Sequence, residues 1–124
     1  MSKTETICKL MMGDTVLGDL RHHFYDMPWS IDYFKPTAAY QPIAHLFERE
    51  NQLYDEIRRL QDLLHETPES EELAAQLDNA QSMLDQVELE IETLQLSVDC
   101  GVSRREIATI HIRDGKADYK PHFR

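Results

Sequence analysis

Eight apolar residues between positions 73 and 98 recur at alternating spacings of four and three, the heptad pattern of a long packed helix. They are Leu73, Leu77, Ala80, Leu84, Val87, Ile91, Leu94 and Val98. At about 3.6 residues per turn, this spacing places all eight side chains on one stripe of a single helix. A stripe of that length must be buried against a partner, so we expect the rest of the chain to be organised around it.

A second helical pattern precedes this seam. Ile43, Leu46, Phe47, Leu53, Ile57, Leu60 and Leu64 follow helical spacing, and Glu50 interrupts the stripe. Pro42 and Thr67-Pro68 predict the starts of the two helices, because proline suits a first helical turn. The short connection between the helices predicts an antiparallel hairpin over residues 41–99, with Gly101 in the left-handed position after the second helix.

The segments on either side of the hairpin have the alternating pattern of β-strands. Residues 1–36 contain two strands joined at Gly13-Asp14 and a third that starts after Met27-Pro28. Residues 104–123 contain two strands joined at Asp114-Gly115, a pair typical of a type I′ turn. The predicted order is β-β-β-α-α-β-β. It corresponds to an α+β fold, one domain of residues 1–124, in which a small antiparallel sheet from the N- and C-terminal strands carries the long antiparallel helical hairpin.

The negative charge of the chain is concentrated in the helices. Residues 48–98 hold 3 basic and 14 acidic side chains, whereas residues 1–47 sum to −1 and residues 99–124 to +2. Such a surface repels phosphate backbones and anionic lipids, so we expect no binding to nucleic acid or membrane. Residues 101–108 resemble a helix-turn-helix turn, but the alternation that follows them opposes this interpretation.

The chain shows no run of 18 apolar residues and no basic leader followed by an apolar segment. Both a membrane span and a signal peptide are therefore unexpected, and a cytoplasmic location is predicted. In that compartment Cys8 and Cys100 are expected to be reduced and buried.

Residues 13–47 resemble a set of small uncharacterised bacterial proteins. The shared features are a hairpin that ends in Asp26-x-Pro28-Trp29, then Phe34-x-Pro36, then a helix start that reaches Leu46-Phe47. These motifs are structural, with proline at a strand break and aromatic residues as core anchors. The resemblance implies a bacterial cytoplasmic protein with a compact sheet-plus-helices fold, and no function or catalytic residue comes with it.

The most site-like cluster is His22-His23 beside Tyr25 and Asp26, because imidazoles near a carboxylate bind zinc or move protons. Neighbouring strand residues face opposite sides, so one ion could not be held by both histidines. A metal would need a distant partner, and the sequence offers His111, His122, Cys8 and Cys100. No phosphate-binding, dinucleotide-binding, nucleophile-elbow or C-x-x-C motif is present, so no cofactor, metal site or catalytic residue is predicted.

The aromatic residues allow two interpretations, a core or a small-molecule pocket between sheet and helices. The residues that would line such a pocket are His22, Trp29, Tyr33 and Phe47.

The leading functional hypothesis is a non-enzymatic interaction module that self-associates into a homodimer through its helical hairpin. The predicted interface comprises Leu73, Leu77, Leu84, Val87, Ile91 and Leu94. The reason for this hypothesis is that the apolar stripe of the first helix is shorter than the seam, which leaves part of the seam for a second copy. One alternative is a small-molecule or metal-dependent enzyme that uses His22 or His23 near Trp29. Another is an acidic inhibitor or immunity-type protein that covers a basic partner.

Overall fold

The structure, a computed structural model, describes residues 7–121. Within that range the chain forms six strands and two long helices. The strands are β1 (Ile7–Met12), β2 (Thr15–Asp26), β3 (Trp29–Pro36), β4 (Leu96–Asp99), β5 (Arg104–Arg113) and β6 (Lys116–Pro121). The helices are α1 (Gln41–Glu66), which follows a single 3₁₀ turn at Ala38–Tyr40, and α2 (Glu71–Thr93). Neither long helix combines the length and the apolar character that crossing a membrane requires.

The strands form a closed antiparallel barrel in the order β1-β2-β3-β6-β5-β4, and β4 pairs back with β1. The predicted fold class is therefore wrong. The prediction was an α+β fold with a small antiparallel sheet of N- and C-terminal strands, and the sheet instead closes on itself. The strand that allows closure is β4, which the predicted order β-β-β-α-α-β-β lacks. Closure leaves the barrel without an unpaired edge.

The strand β4 is hidden at the end of the heptad seam. Helix α2 ends at Thr93, and Gln95 has a left-handed φ of 51° that turns the chain into β4. Val98 continues the seam by spacing, yet its backbone pairs with Leu10 on one side and Arg105 on the other. The predicted range 41–99 for the helical hairpin is thus too long, because two ladders of backbone hydrogen bonds satisfy residues 96–99 better than one more helical turn.

The predicted tight turns are confirmed. Gly13 has a φ of 60° between β1 and β2, and Asp114 and Gly115 have φ values of 53° and 74°, as a type I′ turn requires. Helix α2 begins slightly later than predicted, because Ser70 and not Thr67 caps it by accepting a hydrogen bond from the Leu73 N–H. The last two residues of the predicted final strand, 122 and 123, lie outside the described range.

Cys8 and Cys100 form a disulfide, so the prediction that both are reduced is wrong. The β1–β4 ladder pairs Lys9 with Asp99, which sets the two cysteines opposite each other with their Cα atoms 4.2 Å apart. The disulfide joins the strand pair at which the barrel closes. Disulfides are rare in the reducing cytoplasm, so this bond lends no support to the predicted cytoplasmic location.

Two apolar clusters stabilise the fold. The larger fills the barrel with residues such as Leu10, Leu20 and Ile110, and residues of the helical region, Tyr40, Ile43, Phe47 and Ile91, pack into the same cluster. The smaller lies between the helices and contains Leu53, Ile57, Leu60, Ala80 and Leu84. Because this smaller cluster is made of helix residues alone, the half of the hairpin around the α1–α2 connection packs on itself.

Candidate functional site

The predicted interface residues are already packed within the chain. Leu73, Leu77, Leu84 and Val87 contact the cluster between α1 and α2, while Ile91 and Leu94 contact the barrel core. The part of the seam that the first helix leaves uncovered therefore meets the barrel. Self-association stays a prediction. The uncovered part of the seam on which it was based is not found within residues 7–121, because those side chains pack against α1 or the barrel.

The four predicted pocket residues do not surround one cavity. Phe47 is 1% exposed in the core, whereas Tyr33 is exposed and its ring lies 4.7 Å from that of His23. Trp29 stacks on His111 with ring centroids 5.7 Å apart, and His22 contacts the buried carboxylate of Asp32. His22 pairs with Asp32 and therefore faces the side of the sheet opposite to Trp29 and Tyr33, since neighbouring residues of a strand face opposite sides. Trp29 and Tyr33 share a face of β3 but lie four residues apart, and Phe47 is on α1.

His22 belongs to a network around Asp32. The Asp32 carboxylate is 2% exposed and accepts hydrogen bonds from the Ser30 hydroxyl at 2.9 Å and the Tyr119 hydroxyl at 2.8 Å. His22 Nδ1 lies 3.1 Å from Asp32 Oδ1 and 3.3 Å from Ser30 Oγ. Serine and aspartate thus approach the same nitrogen, whereas a nucleophilic triad needs them on opposite nitrogens. This network is a set of filled hydrogen bonds, not a proton relay.

A second buried carboxylate lies where α1 crosses β5. Glu50 is 1% exposed, and its Oε1 is 3.0 Å from Nδ1 of His111. Glu50 is on the apolar stripe of α1, and His111 is on the outward face of β5. The packing of α1 against the outside of β5 therefore brings the two side chains together. Since a carboxylate only accepts hydrogen bonds, the imidazole must donate from Nδ1.

Glu88 of α2 completes this group. One ligand atom each from Glu50, Glu88 and His111 lies within 4.8 Å of the others. The Tyr54 hydroxyl donates to Glu88 Oε2 at 2.9 Å. We call Glu50, Glu88 and His111 the carboxylate–histidine cluster. It joins three elements far apart in sequence, α1, α2 and β5.

The surroundings hold the cluster in place. The His111 ring is stacked by Trp29 on one side and met by the edge of Tyr54 at 5.6 Å. Next to Glu50 on α1, the Asn51 amide donates to the Ile112 carbonyl at 2.7 Å, and Arg113 donates back to the Asn51 carbonyl at 2.8 Å. These contacts fix α1 against β5 at the level of the cluster, as a preorganised binding site requires.

Charge shifts the proton equilibria of the cluster. The hydrogen bond to Glu50 raises the pKa of His111, burial opposes this, and the Glu50 and Glu88 charges raise it further. Burial raises the pKa of Glu88, the Tyr54 hydrogen bond lowers it, and repulsion from Glu50 raises it. Both shifts favour the protonated forms, that of Glu88 mainly through burial and that of His111 mainly through its hydrogen bond to Glu50.

A cavity of about 240 Å³ opens onto the two carboxylates of the cluster, Glu50 and Glu88. Glu50, Glu88, Glu92 and Thr109 line its polar part, and Ile91 and Ile107 line its apolar part. A bound water occupies about 30 Å³ in liquid, so the cavity has room for solvent and a small ligand beside the carboxylates.

The donor types suit a divalent transition metal, and the Glu50–His111 pair has the spacing of two ligands on one ion. Two ligands about 2.1 Å from one ion lie about 3.0–3.4 Å apart in tetrahedral or octahedral geometry, and the Glu50 and His111 atoms are 3.0 Å apart. Imidazole nitrogen favours zinc, iron or nickel, and carboxylate oxygen also accepts manganese. Three protein ligands leave further positions for water, the arrangement of catalytic metal sites.

The sequence contained a signal for Glu50 but none for the whole cluster. Glu50 was visible as the acidic interruption of an apolar stripe, and such a residue is buried when the helix packs. His111 was considered only as a distant partner of His22 or His23, which it does not meet. Nothing in the sequence separates Glu88 from the other acids of α2, and only the packing of α2 on α1 distinguishes it.

Comparison with known proteins adds nothing to this geometry, because no protein-family model, no curated protein and no solved structure matches the chain.

Proposed function

We propose that the protein binds a divalent transition-metal ion through Glu50, Glu88 and His111, and that its activity depends on this ion. The observation that carries the proposal is the buried Glu50 carboxylate, which faces both a second carboxylate and an imidazole nitrogen within 4.8 Å. A buried carboxylate beside a second, partly buried one is costly unless a cation neutralises them. An ion at this position would remove that cost.

The hydrogen bond between His111 and Glu50 marks where the ion would bind. The proton on Nδ1 bridges the same two atoms that would coordinate the metal, so metal and proton compete for one position. The ion would face the 240 Å³ cavity, in which a water on its open positions would become more acidic and a small substrate could reach it. The proposed chemistry therefore uses His111, whereas the enzyme hypothesis from the sequence used His22 or His23 near Trp29.

Isothermal titration calorimetry with ZnCl₂ and MnCl₂ on the full chain tests the site. We expect one ion per chain for the unsubstituted protein. The substitution Glu50→Gln should weaken binding by more than about 100-fold, since loss of an outer partner alone costs 10–100-fold. Its amide can still accept from His111 and donate to Glu88, so the variant should fold.

The matched control is Glu90→Gln, which removes an exposed carboxylate from the same helix as Glu88. Its affinity should equal that of the unsubstituted chain. Equal metal affinities for Glu50→Gln and the unsubstituted chain would contradict the proposal. So would a titration in which neither zinc nor manganese binds.

Protein interaction through the hairpin is the second candidate function. Its supporting observation is Leu89, which is 60% exposed on α2 within the acidic hairpin. With the seam covered, a second copy or a basic partner would use this outward position. Light scattering of the unsubstituted chain and of Leu89→Glu separates the outcomes: a dimer abolished by the substitution supports the interface, and a monomer at high concentration contradicts self-association.

A further inference from the structure

The two ends of the barrel are built differently. At one end lie the turns at Gly13 and Gly115 and both connections to the helices, and there Tyr40, Ile43 and Phe47 pack into the core. At the other end lie the β2–β3 turn and the β4–β5 loop, and the described residues that line the cavity there all belong to strands and their connections. That end contains a cavity of about 330 Å³. We call this cavity the barrel mouth. Mouths of small barrels are common ligand sites.

The walls of the barrel mouth are mainly apolar. Met27, Pro28, Val98, Ile107 and Pro121 line it. Two large side chains at the rim are exposed, Met27 at 77% and Tyr25 at 67%. An apolar cavity of about 150 Å³ is large enough to bind benzene, so the barrel mouth can hold a ligand with a ring or a short alkyl chain.

The floor of the barrel mouth is polar. Ser30 and Tyr119 line it, and both donate their hydroxyl protons to the two oxygens of Asp32 behind them. A hydroxyl has one proton to donate, so these oxygens offer the cavity only lone pairs. His22 Nδ1, 3.3 Å from Ser30 Oγ and 3.1 Å from Asp32 Oδ1, occupies the other side of the Ser30 hydroxyl. Burial raises the pKa of Tyr119, and so does the hydrogen bond to Asp32, whereas Ser30 lowers it. The phenol therefore stays a donor to Asp32.

This arrangement selects the head group of a ligand. Two acceptor oxygens backed by a carboxylate favour a hydrogen-bond donor with positive charge, and a carboxylate head would meet repulsion from all three groups. Arg105 lines the outer part of the mouth, but it is exposed, so solvent and salt screen its charge. We infer that the barrel mouth binds a small apolar molecule with a primary amine head, held by Ser30 and Tyr119 in front of Asp32.

Three probes of one shape test this inference: benzylamine, benzyl alcohol and benzoate. Each is titrated into the ¹⁵N-labelled full chain, and amide shifts are followed by NMR. We expect saturable binding of benzylamine with a Kd of about 1 mM, as suits a fragment of this size. The amide shifts should centre on Ser30, Val98 and Tyr119. The alcohol should bind about tenfold more weakly, and benzoate should give no saturable shift.

Two variants assign the contacts. Ser30→Ala should weaken benzylamine binding severalfold and reduce the preference for the amine over the alcohol. Met27→Ala, at an exposed position where folding is not at risk, removes part of the apolar wall. It should therefore weaken the binding of benzylamine and of benzyl alcohol equally. Ser82→Ala on the exposed face of α2 is the control and should change nothing.

Benzoate binding as tight as that of the amine, or shifts scattered away from the mouth, would overturn the inference. So would the absence of saturable binding by benzylamine. None of these results bears on the carboxylate–histidine cluster, because Ser30 and Met27 make no contact with it.

Discussion

Asp32 and Glu50 are both buried carboxylates, but the chain balances them in different ways. Asp32 accepts hydrogen bonds from two neutral hydroxyls and lies within hydrogen-bond distance of the His22 ring. Glu50 receives one imidazole and faces a second carboxylate, Glu88. A single buried carboxylate with several donors is stabilised by them, whereas two neighbouring carboxylates with one histidine need another cation. The difference identifies the carboxylate–histidine cluster, and not the Asp32 network, as the candidate metal site.

The largest expected effect is on the Asp32 side of this comparison. Asp32→Ala leaves the buried Ser30 and Tyr119 hydroxyls without an acceptor, and each unsatisfied donor costs about 1–3 kcal/mol. We therefore expect the free energy of unfolding, measured with urea, to fall by about 3–5 kcal/mol. Asp62→Ala, at an exposed position of α1, is the control and should stay within about 0.5 kcal/mol. A change of that small size for Asp32→Ala would show that the network does not stabilise the barrel.

The next effect separates the two groups by their response to metal. At a metal concentration of about 100 times Kd, binding should stabilise the unsubstituted chain by about 2.7 kcal/mol. Glu50→Gln should lose this stabilisation and change the metal-free stability by less than about 1 kcal/mol, because the amide can still accept from His111 and can donate to Glu88. Thermal unfolding with and without ZnCl₂ measures both quantities. A metal-free loss as large as that of Asp32→Ala would mean that Glu50 is a structural residue like Asp32.

A smaller effect is the pH dependence of the metal-free chain. The pKa of Glu88 is raised above 4.5 and that of His111 above 6.5 in the folded chain. A raised pKa gives stability that is fully present below the unfolded value and is lost as pH rises through the folded value. The free energy of unfolding should therefore fall from pH 4.5 upward, with a second decrease that begins at pH 6.5.

His111→Gln assigns these two steps. It should remove the decrease above pH 6.5 and leave the one that begins at 4.5. Metal affinity should change in the opposite direction, rising over the same pH range as the ligands lose their protons. A stability that stays flat between pH 4.5 and 8, with the unsubstituted chain folded throughout, would contradict the charge imbalance in the cluster.

The smallest effect concerns Tyr54. Tyr54→Phe removes one partly exposed hydrogen bond to Glu88 and should cost about 0.5–1.5 kcal/mol. Because this bond lowers the pKa of Glu88, its loss should raise that pKa further and weaken metal binding near neutral pH by a few fold. Calorimetry at pH 6.5 and pH 8 should show the larger loss at the lower pH. Tighter binding at pH 6.5 would mean that Tyr54 competes with the metal for Glu88.

The sequence predicted local structure well where one short pattern determined it. The hairpin of α1 and α2 followed from the heptad seam and Pro42, and the turns at Gly13 and Asp114-Gly115 followed from backbone preferences of glycine and aspartate. What could not be predicted was β4. Its four residues continued the helical spacing, and only its pairing with β1 and β5 shows that the chain leaves the helix at Gln95.

Two other predictions were wrong because β4 was not predicted. Without β4 the sheet could not be recognised as a barrel, and Cys8 could not be placed opposite Cys100. The cluster was hidden for a similar reason, since α1, α2 and β5 meet only in the folded chain. Glu50 alone carried a local signal, because an acidic residue on an apolar stripe is buried when the helix packs.

The most direct test of the metal proposal is a crystal structure of the chain soaked with ZnCl₂, with diffraction collected above and below the zinc absorption edge. The account predicts one anomalous peak about 2.0–2.2 Å from His111 Nδ1 and from a carboxylate oxygen of both Glu50 and Glu88. A crystal in which the three side chains keep their hydrogen bonds and the zinc binds elsewhere, or nowhere, would contradict it.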